Sequence, residues 1–253
     1  MSTYEYISGI NSVTDTLIYS KNVKLVYVSD SININKNKRI KNIIDIANSN
    51  KIKVQRTNKF NLNQICNSES HQGIAAKVDS FVYSSLDNVI NKINNSTSDK
   101  SLILILDHIQ DSGNLGAIIR SAEACNADCV IIPNKRSVAI TPTTYKTSVG
   151  AINNIDIVKV SNLNATINKL KNNAFWIYGA SEHAENTLWQ SNLKGKVAFI
   201  FGSEYKGISS LVLKNCDMKV KLPILGNVES LNVAQTSSIF CYEWVRQNLH
   251  DTK

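Results

Sequence analysis

Leu222-Pro-Ile-Leu-Gly-Asn-Val-Glu-Ser-Leu-Asn-Val-Ala-Gln-Thr-Ser-Ser238 is the stretch on which the reading of this chain turns. Pro223 has no N–H to give a sheet and Gly226 can adopt a positive φ, so Pro223 to Ser230 reads as a shaped loop. Ser230 is a good N-cap for a helix that begins at Leu231 and runs to Leu249. A loop that ends at a helix N-terminus presents free backbone N–H groups, which suits it to holding a ligand. Taken alone, the stretch is equally a plain strand–loop–helix connection.

Outward from it, strands and helices alternate as in a parallel α/β sheet. Leu102–Leu106 reads as a buried strand, and the helix after it sets Leu115, Ile118, Ile119, Ala122 and Cys125 on one face, leaving Asn114 and Arg120 outside that apolar set. Strands are expected at Cys129–Ile132, Ile155–Val160, Phe175–Tyr178, Val197–Phe201 and Met218–Leu222, with helices at Asn162–Lys171 and Ile208–Leu213. Thr141-Pro142 is an N-cap and N1 pair opening a helix to Val149. Gly202–Gly207 and Pro223–Ser230 both follow strands, where ligands of open α/β sheets bind. No G-x-G-x-x-G follows a strand, so the usual dinucleotide-type loop is missing.

Nearer the N-terminus the strands are Lys24–Val28, Lys51–Gln55 and Gly73–Asp79, with helices near Ser12–Tyr19, Lys36–Asn50 and Phe60–Cys66. The Lys36–Asn50 helix carries Ile40, Ile43, Ile44 and Ala47 on one face and Lys and Arg on the other, a face that is either merely solvated or in touch with RNA. His71 reads as a polar surface residue of a loop, without chemistry. Leu86–Ile93 reads as a helical turn or two and the polar run Asn94–Lys100 is the best linker, giving domains at 1–82 and 101–253 with 83–100 between them. Trp176, Trp189 and Trp244 read as core or interface anchors.

The net charge of the 253-residue chain is +8, and residues 1–100 carry 13 Lys and Arg against 8 Asp and Glu, which favours a polyanionic partner and makes this part the better candidate for RNA capture. Five cysteines without a C-x-x-C pair argue against a disulfide framework and, lacking a His or carboxylate cluster, against a metal site. They read as buried thiols. The longest apolar runs fall far short of a membrane span and no leader pattern is present, so a soluble cytoplasmic protein with no membrane partner is expected.

Two further blocks, Asp107-His-Ile-Gln-Asp-Ser-Gly-Asn114-Leu-Gly-Ala-Ile-Ile-Arg120-Ser-Ala-Glu-Ala124 and Phe201-Gly202-Ser-Glu204-Tyr-Lys-Gly207, stand upstream of the opening stretch. The three, in this order, resemble the motifs of the SpoU (TrmH-like) RNA ribose 2′-O-methyltransferases of the SPOUT superfamily. The N-terminal arrangement, with His71-Gln72-Gly73-Ile74, resembles the ribosomal-protein-like RNA-binding domain of the RlmB-type members. The resemblance implies a small α/β RNA-binding domain followed by a parallel-sheet catalytic domain closed by a trefoil knot. It implies S-adenosylmethionine (SAM) as cofactor, a homodimer, and a guanosine of large-subunit (23S) ribosomal RNA as target. A tRNA target is the alternative within the class, and a catalytically silent RNA-binding or ribosome-assembly protein the alternative outside it. The chain departs from the family pattern in reading Ile224-Leu225 before Gly226, and Ala-Gln-Thr-Ser after Asn232-Val233.

By the same resemblance the catalytic set is Asn114, Arg120, Glu204, Ser230 and Asn232, the cofactor contacts are Gly202, Leu222 and Leu231, and no metal is required. Methyl transfer from a sulfonium asks the protein for an aligned 2′-hydroxyl and stabilisation of the developing alkoxide. Arg120 suits charge stabilisation and can fork onto a phosphate, whereas a guanidinium does not give up a proton at neutral pH. Asn114, Ser230 and Asn232 could orient Arg120 and the ribose, and Glu204 could hold the nucleotide or only its own loop. Gly202 and Gly207 would let the chain approach a ligand closely.

Overall fold

Each half of the alternating pattern closes its own sheet. The computed structural model describes residues 4–20, 22–203 and 206–249. The chain divides into one unit of Met1–Val82 with Ile140–Gly150 and another of Tyr83–Ala139 with Ala151–Lys253.

The first unit runs β1 (Tyr4–Ser8), α1 (Ile10–Tyr19), β2 (Val23–Ser29), α2 (Lys38–Ser49), β3 (Lys53–Thr57), α3 (Lys59–Cys66) and β4 (Ile74–Asp79). Its sheet has the order β1-β4-β2-β3, with β4 antiparallel to β1 and β2, and β2 parallel to β3. Alternation along the strands puts Val26, Val28, Ile74, Ala76 and Val78 on one face, where they pack with Val13 and Leu17 of α1 and Ile40, Ile43 and Ala47 of α2. Asn37 caps α2 by accepting from Ile40 N at 3.2 Å, and Lys38, Arg39 and Lys41 stay exposed. Pro142–Ser148 also belongs to this unit, and its Lys146 pairs with Asp15 of α1 at 3.2 Å.

His71 differs from expectation. It is 2% exposed, its Nδ1 accepts from Gly73 N at 2.9 Å, and its Nε2 lies 2.8 Å from Asn63 Oδ1. An accepting Nδ1 puts the proton of the neutral ring on Nε2, which then donates to Asn63. The imidazole is a structural link between α3 and the turn before β4, invisible to a reading that saw only a polar residue in a loop.

The second unit runs α4 (Leu86–Asn94), β5 (Ser101–Asp107), α5 (Ser112–Ala124) and β6 (Cys129–Pro133). With Pro142–Ser148 counted as α6, it continues through β7 (Asp156–Val160), α7 (Leu163–Lys171), β8 (Trp176–Ala180), β9 (Asn186–Thr187), β10 (Lys196–Gly202), α8 (Ser210–Lys214), β11 (Met218–Lys221) and α9 (Val233–Asn248). The seven-stranded sheet has the order β7-β6-β5-β10-β8-β11-β9, and every pairing in it is parallel. β5 is buried throughout, as a central parallel strand covered on both faces must be. On one face Ile103, Ile105, Ile131, Ala198 and Ile200 pack with α4, α7 and Val212 of α8. On the other, Phe240 of α9 meets Phe199 and Phe201 edge-on, with ring centroids 5.2 and 5.3 Å apart.

Within residues 83–100 the turn or two of helix expected at Leu86–Ile93 is present as α4, and 95–100 have no regular secondary structure. Ser85 caps α4 by accepting from Asn88 N at 3.1 Å, and Val89, Ile90 and Ile93 enter the core of the second unit. Three apolar residues at helical spacing outweigh the polar ones around them. Lys100 is also tied down, its Nζ donating to Asn248 O at 2.6 Å. Only Trp244 is buried, while Trp176 and Trp189 are 57% and 51% exposed. No helix among the described residues is long and apolar enough to cross a membrane.

Candidate active site

Strand order reverses between β5 and β10. The chain leaves β5 toward β6 and β7, then returns on the other side through β8 and β10. Their C-terminal ends lie side by side, with Gly202 paired to Asp107. This is the position at which open α/β sheets bind ligands.

Asp107 is wholly buried. Its Oδ2 accepts from Ser209 N at 2.7 Å, fastening the end of the loop after β10 to the end of β5. Its Oδ1 lies against His108 Nδ1 without a hydrogen bond, and His108 takes a left-handed backbone (φ 65°) to turn the chain there.

The loop after β10 is short and closed on itself. Ser203 N donates to Gly207 O at 3.1 Å and Gly207 N donates to Ser203 O at 2.8 Å. Gly207 has φ +60°, which a glycine adopts without strain. Gly202 serves a different need. A Cβ on it would overlap the backbone of Gly207 and Ile208, well under 3.0 Å away. The close approach expected at Gly202 is thus made first by the chain's own loop.

A cleft of about 570 Å³ opens at the ends of β8, β10 and β11, within the range of pockets that hold small organic ligands. Gly202, Leu222, Leu231, Ser230 and Asn232 all line it. The loop after β11 supplies Leu222 to Asn232, without regular secondary structure as the sequence implies. The helix begins later than expected: its N-cap is Asn232, not Ser230, and Asn232 Oδ1 accepts from Ala234 N at 2.8 Å. Both residue types cap well, but Ser230 and Leu231 lie outside the helix and Asn232 takes the cap. Ser230 is left exposed in the cleft wall.

The amide of Asn232 has a second use. Its Nδ2 donates to Asn114 Oδ1 at 3.0 Å, joining the first turn of α5 to the cap of α9. Asp111 caps α5, accepting from Asn114 N at 2.7 Å, and further along Ser121 and Ser238 bring their hydroxyls to 2.6 Å. Of the expected residues, Asn114 and Asn232 are thereby joined, and Ser230 and Asn232 both line the cleft. Arg120 does not line it. It lies roughly 9 Å farther along α5 than Asn114, exposed, without a hydrogen bond or ion pair to any described residue. Glu204 lies outside the described residues.

Sequence reasoning missed the loop after β8. Ala180, Ser181, Glu182 and His183 line the cleft, as do Lys206, Ile208 and Thr236. The strand-end rule that selected the other two loops applies equally to β8 and would have found this one. Chemically, the cleft offers an apolar wall (Leu222, Ile224, Leu231, Phe240) beside carboxylates at Glu182 and Glu229, suited to an amphiphilic, partly cationic ligand. Cysteine chemistry plays no part here, since burial pushes the Cys216 thiol up to about 12.

The architecture is a parallel α/β sheet with a looped cleft at the ends of β8, β10 and β11, preceded in the chain by a small mixed-sheet unit and without a Rossmann glycine loop. The SpoU rRNA Methylase family model matches residues 101–242, and a model for RNA 2′-O ribose methyltransferase substrate binding matches residues 6–84. A TrmH family tRNA/rRNA methyltransferase of Staphylococcus epidermidis is 36% identical over 241 residues, covering 95% of each chain. The fold is shared with the SpoU methyltransferase AviRb from Streptomyces viridochromogenes, solved with AdoMet (TM-score 0.68, 19% identity, 97% of this chain and 90% of that one). It is also shared with an AdoMet-bound rRNA methyltransferase from Sinorhizobium meliloti (TM-score 0.66, 18% identity, 98% and 89%). The chain belongs to the SpoU family of RNA methyltransferases.

Proposed function

We propose that this enzyme methylates a ribose 2′-hydroxyl of a guanosine in large-subunit ribosomal RNA, with SAM bound in the cleft and two copies of the chain forming the working unit. The observation that carries the reading is the Asn114–Asn232 hydrogen bond, which fixes the first and third motif blocks to each other at the mouth of a cleft walled by the second. The ligand-sized volume, the apolar wall and the facing carboxylates fit a sulfonium-bearing nucleoside.

Held there, SAM would supply an activated methyl group for the ribose oxygen, with the hydroxyl proton passing to water. The chain's own part is alignment and charge. Leu222 and Leu231 cover the apolar side of the ligand and exclude water, while the closed Ser203–Gly207 loop fixes the edge of the cleft. Ser230 and Asn232 offer hydrogen bonds that orient the ribose. Arg120, exposed and without a hydrogen bond or ion pair to any described residue, stabilises the oxyanion or a neighbouring phosphate when the RNA, or a second copy of the chain, closes over it. Leu225, Val228 and Tyr242 are exposed apolar side chains on the last loop and last helix, as a self-association surface requires. The knot implied by the resemblance belongs to the same reading, as does a cytoplasmic location, where ribosomal RNA is met.

The test is methyl incorporation from labelled SAM into unmodified 23S rRNA fragments and unmodified tRNA by the full chain, with the product located by resistance of the modified linkage to alkali. Methylation of a ribosomal guanosine is expected. Methylation of tRNA alone would move the assignment to the tRNA reading, and SAM binding without transfer to either RNA would favour a catalytically silent role.

A further inference from the structure

One face of the four-stranded sheet has no helices α1 and α2 over it, and its composition is unlike that of the rest of the first unit. Residues directly opposite one another on neighbouring strands share a face. The register pairs Tyr6 with Lys77, Lys77 with Leu25, and Leu25 with Lys53, so one row across all four strands reads Tyr, Lys, Leu, Lys. That row is about 14 Å long at the usual strand spacing. The adjacent row reads Ser8, Ala75, Tyr27 and Gln55. Ile7, of opposite parity to Tyr6, packs in the core on the helix side, which fixes these two rows to the other side.

The small Ala75 lets the rings of Tyr6 and Tyr27 approach from two strands apart, with centroids 6.3 Å from each other. Lys77 Nζ stands 3.8 Å above the ring of Tyr4, and Lys24 reaches Asp79 at 2.9 Å. Toward the Ser8 end α3 closes the face, where the Cys66 thiol is hydrogen-bonded to Ser8. What remains open is aromatic and basic: Tyr4 and Tyr6 are 41% and 40% exposed on the β1 edge, and Lys53 and Gln55 are exposed on the β3 edge. Neither row holds a carboxylate, and Asp79, opposite Tyr4 in the next row, is already paired with Lys24.

We infer that this open sheet face, centred on Tyr6, Tyr27, Lys53 and Lys77, is a stacking platform for unpaired nucleotides of the RNA substrate. The inference rests on the proposal that RNA is the substrate, and it names the form of RNA that the first unit takes. Aromatic rings interleaved with lysines match what a single strand offers, a π-face on every base and a phosphate between each pair. The basic face of α2 is different in kind. Lys38, Arg39 and Lys41 have no aromatic neighbour on that helix face and can hold phosphates only. A duplex hides its base faces and would gain nothing from the tyrosines.

The experiment measures binding of the full chain to a short oligouridylate and to an RNA duplex, by fluorescence anisotropy over a range of salt. Tyr6→Ala should weaken oligouridylate binding roughly tenfold while leaving duplex binding and the salt slope unchanged. Tyr6→Phe, which keeps the ring, should bind as wild type. Lys53→Gln with Lys77→Gln should flatten the salt slope by about 0.7 for each phosphate that is no longer neutralised. Far-UV circular dichroism and resistance of the first unit to limited proteolysis report that each variant is folded. Unchanged oligouridylate affinity in Tyr6→Ala overturns the platform while the methyltransferase reading stands on wild-type methylation. An equal loss on both RNAs overturns it too, because stacking cannot produce that. A shift in oligomeric state on Tyr6→Ala would reassign the face to a contact between copies. If wild type transfers no methyl to any RNA, the underlying reading fails first and this one with it.

Discussion

Gly202→Ala tests whether the cleft edge is built by backbone contact within the chain. The added Cβ would overlap the backbone of Gly207 and Ile208, and neither is the yielding end of a flexible side chain. To admit it, the loop must swing away from β10. The Ser203–Gly207 pair of hydrogen bonds is then broken, at about 1 kcal/mol each. The Ser209 N–H bond to the buried Asp107 carboxylate stretches as well, and a bond to a charged group contributes about 2 kcal/mol. Partial relaxation leaves a net destabilisation of roughly 3 kcal/mol, at the upper end of what overpacking costs. Trp176, Trp189 and Trp244 are the only tryptophans, and all lie in the second unit. Urea unfolding followed by tryptophan emission therefore reads the stability of this unit. SAM affinity, measured by calorimetry below the transition, should fall at least tenfold. A variant within about 0.5 kcal/mol of wild type, the ordinary scatter of harmless surface changes, and with unchanged affinity would refute the argument.

Arg120→Ala should lower turnover by roughly 10²-fold or more with SAM affinity unchanged, since Arg120 stands outside the cleft wall; unaltered turnover removes it from the mechanism. Asn232→Ala removes both a cap and the link to Asn114, and should cost about 1 kcal/mol of stability with a larger fall in turnover than in SAM affinity, read by urea unfolding and single-turnover kinetics. His71→Ala leaves Gly73 N–H and Asn63 without their partner and should cost about 2 kcal/mol; a Tm equal to that of wild type would return His71 to the surface role. Glu243 is held below the usual carboxylate range by its hydrogen bonds from Arg246, 2.7 and 2.8 Å long. A lowered folded value means its contribution is full above the unfolded value, near 4.5, and is lost as pH falls through the lower folded one. Arg246 is mostly exposed, so solvent screening limits this to no more than about 1 kcal/mol. Wild type should lose that much more stability than Glu243→Gln on acidification, in urea titrations at neutral and acid pH.

The parallel sheet and most of its helices were legible because each strand is a bounded apolar run and each helix a periodic one. The Thr141-Pro142 start was legible for the same reason, as its chemistry is local: Thr141 and Thr144 form the capping box around Pro142. Errors fell where the deciding contact was distant in sequence. Ser230 and Asn232 are both sound caps, and the choice between them is made at Asn114, on another helix. His71 looks like a loop residue until Asn63 is placed beside it. The short helix at Leu86–Asn94 was legible as a turn or two, but not its anchoring, since its three buried side chains are matched by a core that β5, β6 and β7 complete. The open tyrosine face was hidden for a related reason. It exists only across four strands whose register no single segment encodes.

The distant contacts also explain why three short motifs travel together in one chain. Asp107 ends the strand before the first block and holds Ser209, just past the second. Asn114 in the first block holds Asn232 in the third. The second and third blocks meet across the cleft, where Gly202 and Ile208 face Leu222 and Leu231. Each block is therefore positioned by the other two, through polar contacts that are buried or lie at the cleft rim. Such contacts are poor sources of net stability but strict selectors of geometry, because a displaced partner leaves an unsatisfied group behind. Placing a hydroxyl in line with a methyl donor requires that strictness, since small misplacements at the reacting centre are costly in rate. A binding module could tolerate loops that move independently, so this mutual fixing of the three loops favours catalysis over simple capture of RNA.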